Sequence, residues 1–203
     1  IQKECDNFRA HDVHDIVEIP HNCENLVDHL MVFKNKKNPD GTLKKRKTRL
    51  TARGDAQRHK IDYDQTFAPT VRASALKLFF VLCCKWRLQV MQFDVQAAFL
   101  QSNLDCVMYM RAPPGVGVPP GCCLRLKKAV HGTKQAGRCF NLQFSSFLKK
   151  LGFHQSSIDP CMFTRQRGEH MDMLAIHVDD GLLAVDSSEL HKEVMGAIQK
   201  RWK

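Results

Sequence analysis

The sequence predicts an α+β fold: a ferredoxin-like sheet of split β-α-β type with a β-rich region attached to it. Three observations predict it. Apolar residues recur at helical spacing in separated stretches of the chain. Short apolar runs bounded by Gly, Pro, Asn or Asp fill the intervals between them and read as strands. Two acidic clusters, Asp94 and Asp179-Asp180, stand in such runs 85 positions apart, on strands able to lie side by side. With 203 residues, 43% of them apolar, the chain buries one core or divides into two unequal lobes.

Taken in order, the polar segment Gln2 to Ala10 suits a short helix, and Asp15 to Ile19 alternates and stops at Pro20 like an edge strand. Leu30 to Phe33 and Thr42 to Arg53 flank Asn38-Pro-Asp-Gly41, whose residues supply the fixed φ, the side-chain hydrogen bond and the positive φ of a turn; this is a β-hairpin. Period-two geometry lines Lys45, Lys47, Arg49 and Arg53 along one of its faces as a cationic rail. Val71, Ala75, Leu78, Leu82 and Trp86 mark the inner face of a helix. Leu88 to Val95 suits a buried strand. Val107 to Met110 is a further strand closed by Pro113-Pro114-Gly115, and Leu124 to Leu126 resumes extended structure after Pro119-Pro120-Gly121. Phe140, Phe144, Phe147, Leu148 and Leu151 form the core face of a helix stopped by Gly152. Cys161 to Thr164 and Met171 to Val178 are strands, Asp179-Asp180-Gly181 turns the chain into Leu182 to Val185, and Ser187 or Ser188 caps a last helix with Leu190, Val194 and Ile198 on one side.

Composition narrows the function. The 31 Lys and Arg against 21 Asp and Glu leave a formal charge of +10, which favours a polyanionic partner such as nucleic acid. No apolar stretch approaches the roughly 18–20 residues of a membrane span, and no secretory leader opens the chain, so an intracellular protein is expected, in a cytoplasmic particle or the nucleus. Nine cysteines at irregular spacing, without a C-x-x-C pair, fit reduced thiols. Cys5, His11, His14, His21, Cys23 and His29 have the ligand types of a structural zinc site but not its short regular spacing. Ile at position 1 and a final helix running to Lys203 suggest a piece of a longer polypeptide. The acids are the sharpest signal: three carboxylates at the ends of neighbouring strands suit two divalent cations about 3.5–4 Å apart, an arrangement that stabilises in-line phosphoryl displacement.

The motifs that carry these residues resemble, in order, those of the reverse transcriptase of copia-type long-terminal-repeat retrotransposons. They are Lys47-Thr-Arg-Leu-Thr-Ala-Arg-Gly54, Ile61-Asp-Tyr-Asp-Gln-Thr-Phe-Ala-Pro69, Gln92-Phe-Asp-Val-Gln-Ala-Ala-Phe-Leu100, Val107 to Gly115, Leu126 to Arg138, Asp159-Pro-Cys-Met-Phe163 and His177-Val-Asp-Asp180. The resemblance spans about Val32 to Val185. It implies a fingers and palm fragment without a thumb: fingers at 1–87 and again at 112–139, palm at 88–111 and 140–203. It implies Asp94, Asp179 and Asp180 as the catalytic triad of an RNA-directed DNA polymerase, with Asp94, Asp179, Asp180 and the Val95 carbonyl holding two Mg²⁺, for which Mn²⁺ can substitute. Lys47, Arg49, Phe99, His131 and Gln135 would bind the deoxynucleoside triphosphate, Phe99 beneath the sugar. Lys45, Arg53, Lys134 and His177 would face an RNA or DNA template-primer. The expected partners include the rest of a polyprotein, with integrase upstream and RNase H downstream. The chain departs from the family pattern at His177, His131, Gln96-Ala97 and Gly137, which stand where Tyr, Tyr, Lys-Thr and Pro are expected. The competing reading is a catalytically inactive nucleic-acid-binding remnant of such an element.

Overall fold

A computed structural model describes residues 2–114, 116–168 and 170–202. Gly115, the end of the Pro113-Pro114-Gly115 turn, and the terminal Ile1 and Lys203 lie outside the described residues. The described residues form four α-helices and three sheets, an α+β architecture, in two compact units: residues 1–67 with 99–140, and residues 68–98 with 141–203.

The first unit opens with helix α1 (Gln2–Ala10), which buries Cys5 and Phe8. Strands β1 (His14–Glu18), β2 (Leu26–Val27), β6 (Asn103–Met110) and β7 (Cys122–Lys128) make one sheet in the order β1-β7-β6-β2, so β1 is an edge, as its alternation predicts. Val27, Met108, Met110, Cys123, Leu124 and Leu126 are among its buried side chains. Strands β3 (His29–Lys37) and β4 (Leu43–Ala52) form the predicted hairpin, closed where Asn38 accepts from the Gly41 N–H and donates its own to the Thr42 carbonyl. A 3₁₀ turn over Phe99–Gln101 and the first residues of α3 (Ala136–Lys150) complete the unit.

The second unit holds α2 (Ala73–Trp86), β5 (Gln89–Asp94), the rest of α3, β8 (His154–Gln155), β9 (Met162–Arg167), β10 (His170–His177), β11 (Asp180–Val185) and α4 (Ser188–Arg201). Its sheet runs β5-β11-β10-β9-β8 with every neighbouring pair antiparallel, so β5 and β10 are parallel to each other with β11 between them. Met173, Ala175 and Ala184 on one face pack on Phe79 and Cys83 of α2. On the other face Phe163, Leu174 and Leu183 are buried, and α4 packs against β11 with Val194 and Ile198 inward. Ser187 is the α4 N-cap, its hydroxyl accepting from the Leu190 N–H. Arg165 of β9 and Asp172 of β10, opposite each other in register, make an ion pair of 2.6 Å that is closed to solvent.

Two expectations are corrected. The inner face of α2 is Phe79 and Cys83 with Ala75, Leu76 and Leu82 beside them, while Leu78 and Trp86 are 58% and 41% exposed; residues 78 to 82 are all apolar, so spacing alone does not choose a face. Strand β5 is an exposed sheet edge in which only Phe93 is buried, not a buried strand. Helix α2 belongs to the second compact unit because it packs on β10 and β11, and β6 to the first because it pairs with β7 and β2.

Candidate active site

Asp94 and Asp180 meet through backbone register. Strands β5 and β11 pair with Asp94 opposite Asp180, Phe93 opposite Gly181 and Gln92 opposite Leu182. Directly paired residues project to the same side of a sheet, so the two carboxylates share a face and a strand end. Asp179 is brought to the same end by the β10–β11 turn, whose two residues are Val178 and Asp179; Asp180 and Gly181, expected in the turn, are already in the strand. The Val95 N–H donates to the Asp179 carbonyl at 2.9 Å, tying the tip of the hairpin to the end of β5. All three aspartates are exposed and Val95 is buried. His177 pairs with Asp180 in register and therefore stands on the same face. A pocket of about 230 Å³ opens there, lined by Gln92, His177 and Asp180 at its polar side and by Val71, Leu76 and Leu182 at its apolar side.

Two local features hold this end together. Val178 has φ of +60° in this two-residue turn, a region that β-branched residues rarely enter, and carries strain of about 1–3 kcal/mol. Gly181 leaves room for the Phe93 ring: a Cβ built on it would lie 2.2 Å from the ring tip, so the aromatic ring lies directly across the glycine. One further anchor had no role assigned from sequence. The buried Asp159 carboxylate accepts from the backbone N–H groups of Arg72 and Cys161, both at 2.9 Å, and so fastens the start of α2 to the start of β9. Its signal in the sequence is the Asp159-Pro-Cys-Met-Phe163 motif, which carries no assigned role.

Oxygen donors of this kind suit Mg²⁺, which takes one or two carboxylates and keeps waters. Among the described residues, however, no three His, Cys, Asp or Glu side chains are gathered closely enough to enclose a metal ion. Asp94 and Asp180 share a strand end and a face, with Asp179 at the same end, without forming a closed cage.

The cationic candidates lie in the first unit. Across the hairpin Lys47 stands opposite Lys34, Lys45 opposite Lys36 and Arg49 opposite Val32, so the rail has two rows. Burial, then the neighbouring Arg49 and Lys36, hold the Lys47 ammonium below the ordinary lysine range; among the described residues it forms no ion pair, a balance an anion would restore. Arg53 leaves the rail, since β4 ends at Ala52 and the Arg53 guanidinium pairs with Asp55 at 2.6 Å, which raises its pKa. The base of the hairpin is fastened to the segment bearing His131: Ala52 N–H donates to the His131 carbonyl at 2.8 Å, and Cβ atoms at Gly54 or Gly132 would fall 2.0 and 2.2 Å from backbone oxygens there. Phe99 and His131 meet edge to face with ring centres 5.1 Å apart. Gln135 is placed differently from the expectation of a nucleotide contact, because its side chain is fully buried and bonded to Gln57 and to the Asp62 carbonyl. Lys134 beside it is exposed. All nine cysteines are free thiols, and burial pushes Cys83 and Cys161 up to about 11 and Cys139 to about 12.

Residues 11–203 match the family model described as reverse transcriptase (RNA-dependent DNA polymerase). The chain belongs to that family. Its relatives place it in the copia-type retrotransposon branch: it is 33% identical over 93% of its length to the retrovirus-related Pol polyprotein from transposon RE2 of Arabidopsis thaliana, and 31% identical over the same share to that from transposon RE1. It is 30% identical over 98% of its length to the retrovirus-related Pol polyprotein from transposon TNT 1-94 of Nicotiana tabacum. The chain spans only 13%, 13% and 15% of the length of these polyproteins.

Proposed function

We propose that this reverse transcriptase domain adds deoxynucleotides to a primer 3′-hydroxyl on an RNA or DNA template, as the fingers and palm of a retrotransposon polymerase. The palm comprises 88–111 and 140–203, around a split β-α-β core, and the fingers comprise 1–87 and 112–139. The observation that carries the reading is the pairing of Asp94 with Asp180, with the Asp179 carbonyl bonded to Val95. Asp94, Asp179 and Asp180, with the Val95 carbonyl, would hold two Mg²⁺ or Mn²⁺ ions, which supply charge neutralisation for the attacking hydroxyl and the departing pyrophosphate. Lys47 and Arg49, which form no ion pair among the described residues, carry positive charge suited to the triphosphate. Phe99 with His131 offers an apolar edge to the sugar. Lys45, Lys134 and His177 face the template-primer; Arg53 does so only after releasing Asp55, and Gln135 acts by holding its neighbours in place. The partners are the template-primer, deoxynucleoside triphosphates and the remainder of a Pol polyprotein, with integrase before and RNase H after, and the setting is intracellular.

The test is Mg²⁺- or Mn²⁺-dependent primer extension by the chain joined to the polyprotein segment that follows it. Asp179→Asn is expected to abolish extension, and an unchanged rate overturns the assignment. The paired basic rows of the hairpin support a second reading, an inactive remnant that only binds nucleic acid. That reading predicts salt-sensitive RNA or DNA binding with no Mg²⁺-dependent affinity for a deoxynucleotide.

A further inference from the structure

Two loops of the first unit are laced together by side chains, among them Gln57 and Asp62, which have no part in the proposed site. The Gln57 amide oxygen accepts from the Lys134 N–H at 2.7 Å, and its amide nitrogen donates to the Gln135 Oε1 at 2.9 Å. Gln135 Nε2 in turn donates to the Asp62 carbonyl at 2.8 Å. Gln57, Asp62 and Gln135 are all buried. The Asp62 carboxylate completes the knot by accepting from the Arg58 N–H at 2.8 Å and from the Asn25 amide at 2.5 Å. A buried polar network with its groups satisfied is rigid, since any rearrangement strands a donor or acceptor away from water.

The consequence appears at the surface. Lys134 is exposed, yet its Nζ is held at three points: 3.3 Å from the Gln57 carbonyl, 3.4 Å from the Tyr63 hydroxyl and 4.8 Å over the Tyr63 ring. All three partners are neutral dipoles or a π face, and among the described residues Lys134 forms no ion pair. A lysine ammonium ordinarily moves on a flexible four-carbon stem. Here its position is set while its charge is left uncompensated, which is what a phosphate site requires. We infer that Gln57, Asp62 and Gln135 are a buried amide lock that, with Tyr63 as an outer brace, fixes Lys134 as a preorganised phosphate-binding charge. Gln57, Asp62, Tyr63 and Gln135 are positioning residues, and Lys134 makes the contact. The inference rests on the proposed nucleic-acid function of this unit. The phosphate belongs either to a strand backbone or to a triphosphate.

The test is binding rather than turnover. The full 203-residue chain is titrated with a fluorescent DNA primer annealed to an RNA template over a salt series, and separately with a fluorescent deoxynucleoside triphosphate in the presence of that duplex. Lys134→Ala is expected to weaken one of the two about tenfold. Loss in the first titration, with the log–log salt slope reduced by about 0.7–0.9, identifies a strand phosphate; loss in the second alone identifies the triphosphate. Tyr63→Leu, on the surface, is expected to reproduce most of that loss, Tyr63→Phe to stay within about twofold of the parent, and Tyr63→Leu combined with Lys134→Ala to be no worse than Lys134→Ala alone, because the brace acts only through the charge. Gln57→Glu, which keeps the acceptor for Lys134 and removes the donor to Gln135, is expected to behave like Tyr63→Leu, with folding monitored by circular dichroism. If Lys134→Ala weakens binding while the Tyr63 and Gln57 variants match the parent, or if their losses simply add, the lock is refuted and the nucleic-acid function stands. A parent chain that binds neither probe overturns both.

Discussion

Replacing Gly181 with alanine probes the pairing on which the catalytic reading depends. A methyl group there would sit 2.2 Å from Cζ of Phe93 and 2.6 Å from both Cε atoms. Carbon atoms rest roughly 3.5–4 Å apart, so the ring has to withdraw by more than about 1 Å. Phe93 is a buried side chain on β5, held on one side by Gly181 itself, and Asp94 follows it directly. The ring cannot leave without moving the strand or exposing itself. Overpacking of this kind costs about 1–3 kcal/mol. Urea denaturation of the chain at pH 7.5, read by circular dichroism, should therefore show Gly181→Ala destabilised by that amount at unchanged m-value. Displacing a catalytic group by about 1 Å costs on the order of a hundredfold in rate, so primer extension by the extended polypeptide should fall by at least tenfold. The double change Gly181→Ala with Phe93→Leu, which removes the ring tip, should recover part of the lost stability. A single variant as stable and active as the parent refutes the close approach of ring and glycine, and with it the register that sets Asp94 against Asp180.

Three further outcomes follow from the same structure. Val178→Gly removes the strained φ at the hairpin tip, gaining about 1–3 kcal/mol against about 0.5–1 kcal/mol of glycine entropy; a net rise in the urea midpoint is expected, and a fall counts against a strained turn. Asp159→Ala strands the buried Cys161 N–H and removes the part-buried bond to Arg72, and should cost about 1–4 kcal/mol, whereas near-neutral behaviour in the same assay would show that the clamp between α2 and β9 is dispensable. Burial, then the nearby Lys127, holds His14 below its ordinary 6.5. The unfolded chain therefore takes up a proton that the folded chain refuses, so stability is unaffected above about pH 7 and declines as pH drops below about 6.5. His14→Phe should flatten that limb of a midpoint-versus-pH curve, and an unaltered slope would remove His14 as its cause.

Much of the local structure was legible in the sequence because its causes are local. The turn at Asn38-Pro-Asp-Gly41, the cap at Ser187, the stop at Gly152 and the inward Phe140, Phe144 and Leu148 of α3 each rest on a few adjacent residues. The ordered motifs likewise identified the family and marked Asp94, Asp179 and Asp180, since residue type and spacing are properties of the chain itself. The inner face of α2 was not legible, because its Leu78-Phe79-Phe80-Val81-Leu82 run is apolar all round and only Met173, Ala175 and Ala184 choose between the sides. Nor was the exposure of β5, which depends on having a neighbour on one side only. The same holds for the register of β5 on β11, for the ring of Phe93 over Gly181, and for the lacing of Gln57 to Gln135 across 78 positions. The sequence by itself determined which chemical groups are present and the local geometry of the turns and caps that carry them. Tertiary structure decided which of those groups face one another, because pairing between distant segments is set by the packing of the whole unit and leaves no periodic trace in either segment alone.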